Sequence, residues 1–151
     1  IHDIGLKEVA RITAEMEAIL TAQGISGGTP GERTKALGDD PKYHFPDNDD
    51  GRNQILAEYD RLLKEVAAVM PKYFQTIPPQ PLEVRRVPPA SEKGSAGAYY
   101  NAPARDGSRP GVFYANLRDV KETPKWSMKT LAYHEGIPGH HFQIATAQGL
   151  T

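Results

Sequence analysis

His134-Glu135-Gly136-Ile137-Pro138-Gly139-His140-His141 gathers three of the chain's five histidines and one carboxylate into eight residues. Neutral imidazole is the commonest protein metal ligand, and a glutamate beside a ligating histidine is the usual general base of zinc hydrolases. The stretch points to metal-assisted hydrolysis, yet it is not the H-E-x-x-H pattern, in which one helical turn sets two histidines on one face. The position four after His134 is Pro138, which cannot ligate, and the next histidines come six and seven residues on. In a straight helix a six-residue step rises roughly 9 Å and turns away from the first face, while a seven-residue step returns to it but rises roughly 10 Å. Neither pair could share a zinc at bonds of about 2 Å, so the helix must be interrupted. Pro138 supplies the cause: its ring clashes with the carbonyl of His134, four residues back, and it has no N–H to donate there. Gly136 and Gly139 permit unusual backbone angles on either side. A break is expected to bring His140 or His141 back towards His134, and the glycine directly before His140 favours the former. The competing reading, a polar loop, fits less well after the apolar helical approach of Trp126, Met128, Leu131 and Tyr133.

Upstream of the motif the hydrophobic period changes twice. Residues 3–23 read as an amphipathic helix, capped by Asp3, with Ile4, Leu6, Val9, Ile12, Met16, Ile19 and Leu20 as the apolar face and Gly24 as the stop. Thr29-Pro30 is a cap plus first helical residue for a short helix to about Leu37. A second long helix is expected from Asp49 or Asp50, with Ile55, Leu56, Tyr59, Leu62, Leu63, Val66 and Met70 facing a core and Pro71 at its end. Then the period becomes two. Leu82 to Val87, Ala98-Tyr99-Tyr100 and Gly111 to Leu117 read as three short strands, with turns at Gly94, Gly97, Asp106-Gly107 and Pro110. Thr123-Pro124 opens the helix that runs into the motif. The fold class this predicts is α+β and mostly α-helical: amphipathic helices plus a small antiparallel sheet preceding a helix broken at Pro138.

A chain of 151 residues is one domain in length and can bury a core. Its net charge of −1 leaves no electrostatic footprint for nucleic acid. No apolar run approaches a membrane span, and no signal peptide is visible. The chain starts at Ile1 rather than Met and stops soon after a helical pattern, so residues 1–151 are expected to be a single piece of a larger, mainly helical domain. The missing signal peptide then says nothing about compartment. The absence of cysteine excludes disulfides and thiolate ligands. The 14 glycines and 13 prolines imply long connections.

On this frame His134 and His140 are expected to ligate zinc, with His141 as the alternative to His140 or as a third ligand. Glu135 lies too close to be a comfortable ligand and is well placed to take a proton from the water that zinc activates. A catalytic zinc normally keeps three protein ligands, and the third is either His141 or a carboxylate outside this stretch. An exposed strand edge beside the site can pair with an extended peptide, and the 112–117 strand is the candidate. Within it Asn116 is a candidate to hold a substrate amide, and Tyr114 to donate to a developing oxyanion; ordinary strand packing is the competing reading for both. His2 and His44 read as surface or capping residues.

The residues also resemble a family. His2 to Ile12, Leu82-Glu83-Val84-Arg85-Arg86-Val87-Pro88, Gly111-Val112-Phe113-Tyr114-Ala115-Asn116-Leu117-Arg118-Asp119 and, most specifically, Tyr133-His134-Glu135-Gly136-Ile137-Pro138-Gly139-His140-His141-Phe142-Gln143 are similar to the bacterial domain-of-unknown-function family numbered 885. Its members include proteins described as lipoproteins, and they are several times longer and largely helical, so this chain would cover a middle portion. The resemblance implies a zincin-like metallopeptidase, similar to the glutamate-type zincins in having a strand before the metal helix and a carboxylate ligand later in the chain, beyond Thr151. The histidine spacing departs from true zincins. The expected function is a zinc-dependent hydrolase of peptide or amide bonds, inactive as an isolated piece, in the bacterial envelope, secreted or cytoplasmic. The alternatives are a non-catalytic envelope lipoprotein that binds peptides or metal, and a small-molecule amidase or esterase with the same metal chemistry.

Overall fold

The computed structural model describes residues 1–150. They fall into two compact units, Ile1–Pro41 and the chain from Lys42 onward.

The first unit holds α1 (His2–Ala22) and α2 (Pro30–Asp39). Ile1, rather than Asp3, occupies the N-cap of α1, and no side chain caps it; Asp3 sits in the first turn, where its charge suits the helix dipole. At α2 the Thr29 side chain accepts from the Glu32 amide while Glu32 accepts from the Thr29 amide, a reciprocal capping box, with Pro30 pre-set at the first helical position. Arg33 is buried, donates to the Ile25 carbonyl at 3.1 Å and pairs with Glu17, which ties α2 to α1. The apolar face expected of α1 is mostly exposed: only Leu20 is buried, while Ile4, Leu6, Val9, Ile12 and Ile19 face solvent.

The second unit carries the core. Its long helix α3 (Asp49–Val69) begins where Asn48 accepts from the Gly51 amide at 2.9 Å, with Asp49 and Asp50 at the positive end of the dipole. Ile55, Tyr59, Leu62, Leu63 and Val66 recur at helical spacing and are all buried. A 3-10 turn, Met70–Lys72, ends the helix at Pro71. Three strands follow: β1 (Leu82–Arg86), β2 (Ala98–Asn101) and β3 (Gly111–Ala115). Then come α4 (Lys125–Glu135) and α5 (His140–Gly149). The core closes where Phe113 of β3 meets Tyr59 of α3 edge to face, ring centroids 4.8 Å apart. Leu117, Val120, Met128 and Ala132 complete it. Full burial of Ile55, Phe113 and Leu117 contributes about 1.5–3 kcal/mol each relative to exposure.

The sheet corrects one expectation. It is mixed, not antiparallel, with strand order β1-β3-β2. β2 and β3 form the expected antiparallel pair, Tyr100 opposite Phe113, but β1 runs parallel to β3, Val84 opposite Phe113. The reason is the connection after β1. A 3-10 segment, Pro89–Gly94, carries the chain across to the far side of β3, so consecutive strands β1 and β2 do not touch. This segment is anchored from both sides. Glu92, buried, pairs with Arg86 at 2.7 Å, and that guanidinium holds the Glu92 carboxyl below the usual carboxylate range. No helix among the described residues is long and apolar enough to cross a membrane.

Candidate metal centre

Helix α4 sorts the motif residues by face. Met128, Ala132 and Glu135 lie four and three residues apart, on one side, and are 1%, 0% and 7% exposed. Glu135 is thus drawn inward on the core face while its neighbour His134 stays at the surface. The helix ends at Glu135, and α5 begins at His140 after a turn that includes a cis Ile137–Pro138 peptide bond. The interruption expected at Pro138 is present. Its closure is held by main-chain bonds: the Gly139 amide reaches back to the Tyr133 carbonyl at 2.9 Å, and the His141 amide to the Gly136 carbonyl at 3.1 Å.

Both flanking glycines stand where a side chain has no room. A Cβ on Gly139 would lie 1.9 Å from the His134 carbonyl oxygen, and one on Gly136 would lie 2.4 Å from Leu63. The turn folds α5 so tightly onto the end of α4 that the His134 and His140 rings meet edge to face at 4.8 Å. His140 Nε2 lies 4.0 Å from Glu135 Oε2. One ligand atom from each of His134, Glu135 and His140 falls within 4.8 Å of the others, the only such group among the described residues. Two imidazole nitrogens and a carboxylate oxygen are a donor set suited to zinc, whose bonds of about 2.0–2.1 Å set tetrahedral donors roughly 3.4 Å apart. The donor chemistry therefore fits the ion, and the three donors lie within 4.8 Å of one another.

His141 is not part of this group. It is 2% exposed, and both ring nitrogens are engaged: Nε2 with the Gln80 carbonyl at 3.0 Å and Nδ1 with the Tyr100 hydroxyl at 2.9 Å. Burial pushes its pKa down, which favours the neutral ring. Of the two histidines, it is His140 that lies with His134 and Glu135, while the His141 side chain is spent on Gln80 and Tyr100.

The expected substrate residues also move. β3 is the middle strand, hydrogen-bonded on both sides, so it offers no edge to a peptide. Asn116 is 1% exposed, and its amide nitrogen donates to the carbonyls of Glu92, Ala96 and Ser95 at 2.7, 3.1 and 3.2 Å while its oxygen accepts from the Arg118 amide at 3.1 Å. It is a clamp on the crossover from β1 to β2, with nothing free for a substrate. Asn116→Ala is therefore expected to lower stability by about 2–3 kcal/mol, the cost of leaving buried carbonyls unpaired, as read by chemical denaturation; unchanged stability with altered substrate affinity would contradict the clamp. Tyr114 stacks on Tyr99 across the strand pair, centroids 5.0 Å apart, which is the packing alternative.

Two features near the cluster were not singled out in the sequence. An open groove lined by Trp126, Ser127, Thr130 and Leu131 runs up to His134 and Glu135. The helical spacing of Ser127, Thr130 and Leu131 to His134 was the available signal. Tyr100, on the edge strand β2, lies against His140 with ring centroids 6.4 Å apart and planes 18° from parallel. Nothing local in the sequence links residue 100 to residue 140.

The family model described as "Bacterial protein of unknown function (DUF885)" matches residues 1–151. A crystal structure described as that of "the putative lipoprotein from Colwellia psychrerythraea" is similar, with 46% identity and a TM-score of 0.93 over 97% of this chain and 25% of that one. The chain therefore spans about a quarter of the solved chain it matches. No curated protein matches it.

Proposed function

The chain belongs to the DUF885 family of bacterial proteins of unknown function, and on that footing we propose that it carries the metal-binding core of a zinc-dependent hydrolase acting on peptide or amide bonds. The supporting observation is the convergence of His134, Glu135 and His140 across a helix break that the turn residues enforce. A storage or structural metal site has no need of a recessed carboxylate beside its ligands. A hydrolytic one does.

Zinc, when bound, supplies a Lewis acid and a water acidic enough to react near neutral pH. His134 and His140 would hold the ion through imidazole nitrogen, with a carboxylate as third ligand, as the resemblance to glutamate-type zincins implies. Glu135, fixed by its place on the core face of α4, takes the proton from the attacking water and passes it to the leaving amine. The peptide's place is the free edge of β2, the strand that bears Tyr100 beside His140; an extended segment can add there by main-chain hydrogen bonds. The groove walled by Trp126 and Leu131 beside His134 suits an apolar side chain next to the scissile bond. Envelope association is part of the proposal, supported by the related chain's description as a lipoprotein.

The test uses the full-length protein. Zinc content and peptide hydrolysis are measured for wild type, His134→Ala, His140→Ala and His141→Ala. The first two are expected to lose zinc, while His141→Ala loses stability first. Wild type that takes up no zinc at saturating metal sinks the proposal.

A further inference from the structure

The half-buried Tyr100 hydroxyl meets the buried His141 ring at 2.9 Å, a contact outside the metal cluster. His141 Nε2 faces the Gln80 carbonyl, which can only accept, so Nε2 carries the proton. In the neutral ring Nδ1 must then accept, and the Tyr100 hydroxyl donates to it. The one phenolic proton of Tyr100 is committed inward, so this hydroxyl is not a donor to substrate. Its ring face instead lies along His140.

Gly111 at the start of β3 shows that space is reserved for the pair. A Cβ there would fall 2.5 Å from the Tyr100 hydroxyl and 2.7 Å from His141 Nδ1. The Gly111 amide is also bound to the Pro81 carbonyl at 2.9 Å, one residue beyond the Gln80 carbonyl that His141 engages. One polar knot thus joins the approach to β1, the edge strand β2, the start of β3 and the first turn of α5. With both His141 ring nitrogens engaged, a polar contact of this kind fixes one arrangement where an apolar contact would allow several.

We propose that Tyr100 and His141 are a positioning pair for His140: His141 locks the first turn of α5, and the Tyr100 ring, held by its bond to His141, sets the plane in which the His140 imidazole presents its nitrogen to the metal. The inference rests on the zinc reading above. It makes neither residue a ligand or a catalytic group, and it assigns the edge strand a part in shaping the metal site.

Zinc affinity by competition with a chelator, the visible spectrum of the cobalt(II)-substituted protein, and the melting temperature of the metal-free form are compared for full-length wild type, Tyr100→Phe and Gly111→Ala. Tyr100→Phe keeps the ring and removes only the hydrogen bond. The expected result is zinc binding about 10–100-fold weaker with a changed cobalt spectrum in both variants. Zinc affinity within twofold of wild type and an unchanged spectrum in Tyr100→Phe, whatever happens to its melting temperature, would overturn the pair's role and leave the zinc reading standing. Wild type that binds no zinc overturns both. If Gly111→Ala does not fold, Tyr100→Phe alone decides.

Discussion

Glu135→Gln in the full-length protein is expected to keep its zinc and lose peptide hydrolysis by about 10²–10⁴-fold, the range that removal of a positioned general base costs. Glutamine preserves the size of the side chain and one acceptor oxygen, so the packing on the core face of α4, where Met128 and Ala132 are its neighbours, is left intact. What it cannot do is accept a proton. His134 and His140 are untouched, and the turn between them is made by backbone groups that the substitution does not reach. Zinc stoichiometry by elemental analysis and initial rates on an unstructured peptide separate two roles for the carboxylate. Loss of zinc along with activity would make Glu135 a ligand, which its distance of 4.0 Å from His140 Nε2 also permits. Zinc kept together with full activity would remove Glu135 from the chemistry altogether.

The parts of the fold written in local periodicity were legible. α3 follows its apolar spacing from Asp49 to Val69, and the Thr29-Pro30 signature gives the capped start of α2. The broken helix could be deduced from Pro138 and from the distance a zinc tolerates between ligands, and α4 does end at Glu135. What failed was non-local. Three short strands in sequence order suggest a meander, but the order β1-β3-β2 depends on where the Pro89–Gly94 segment lays the chain and on Asn116 clamping it, neither of which leaves a period in the sequence. The same gap explains the substrate residues. β3 is the middle strand and has no free edge, and the Asn116 side chain is spent on the crossover, while Tyr114 stacks on Tyr99. α1 shows the opposite limit, since a clear amphipathic stripe states that a face seeks cover without stating what covers it. At the site, His134, Glu135 and the need for a return were visible, whereas the placement of Tyr100 beside His140, forty residues away and on another element, was not.

Gly139→Ala is expected to abolish zinc binding, or weaken it at least 100-fold, while most of the secondary structure survives. The added methyl would sit 1.9 Å from the His134 carbonyl oxygen and 2.4 Å from that of Tyr133. Both obstacles are backbone at the end of α4, so no side-chain rotation relieves them. Either the turn opens or α5 slides away, and each movement carries His140 from His134, whose rings now lie 4.8 Å apart. Overpacking of this kind costs about 1–3 kcal/mol, which a folded unit with the α3–β3–α4 core can absorb. The metal site cannot, because two imidazoles must reach one ion at about 2 Å and a shift of an ångström or two between them removes one ligand. Circular dichroism and zinc titration on the same preparation separate the outcomes. Near-native helicity with zinc affinity lost places the defect in the turn. Zinc affinity retained in Gly139→Ala would mean that the His134–His140 spacing is not what builds the site, and that the ligands must be sought elsewhere in the protein.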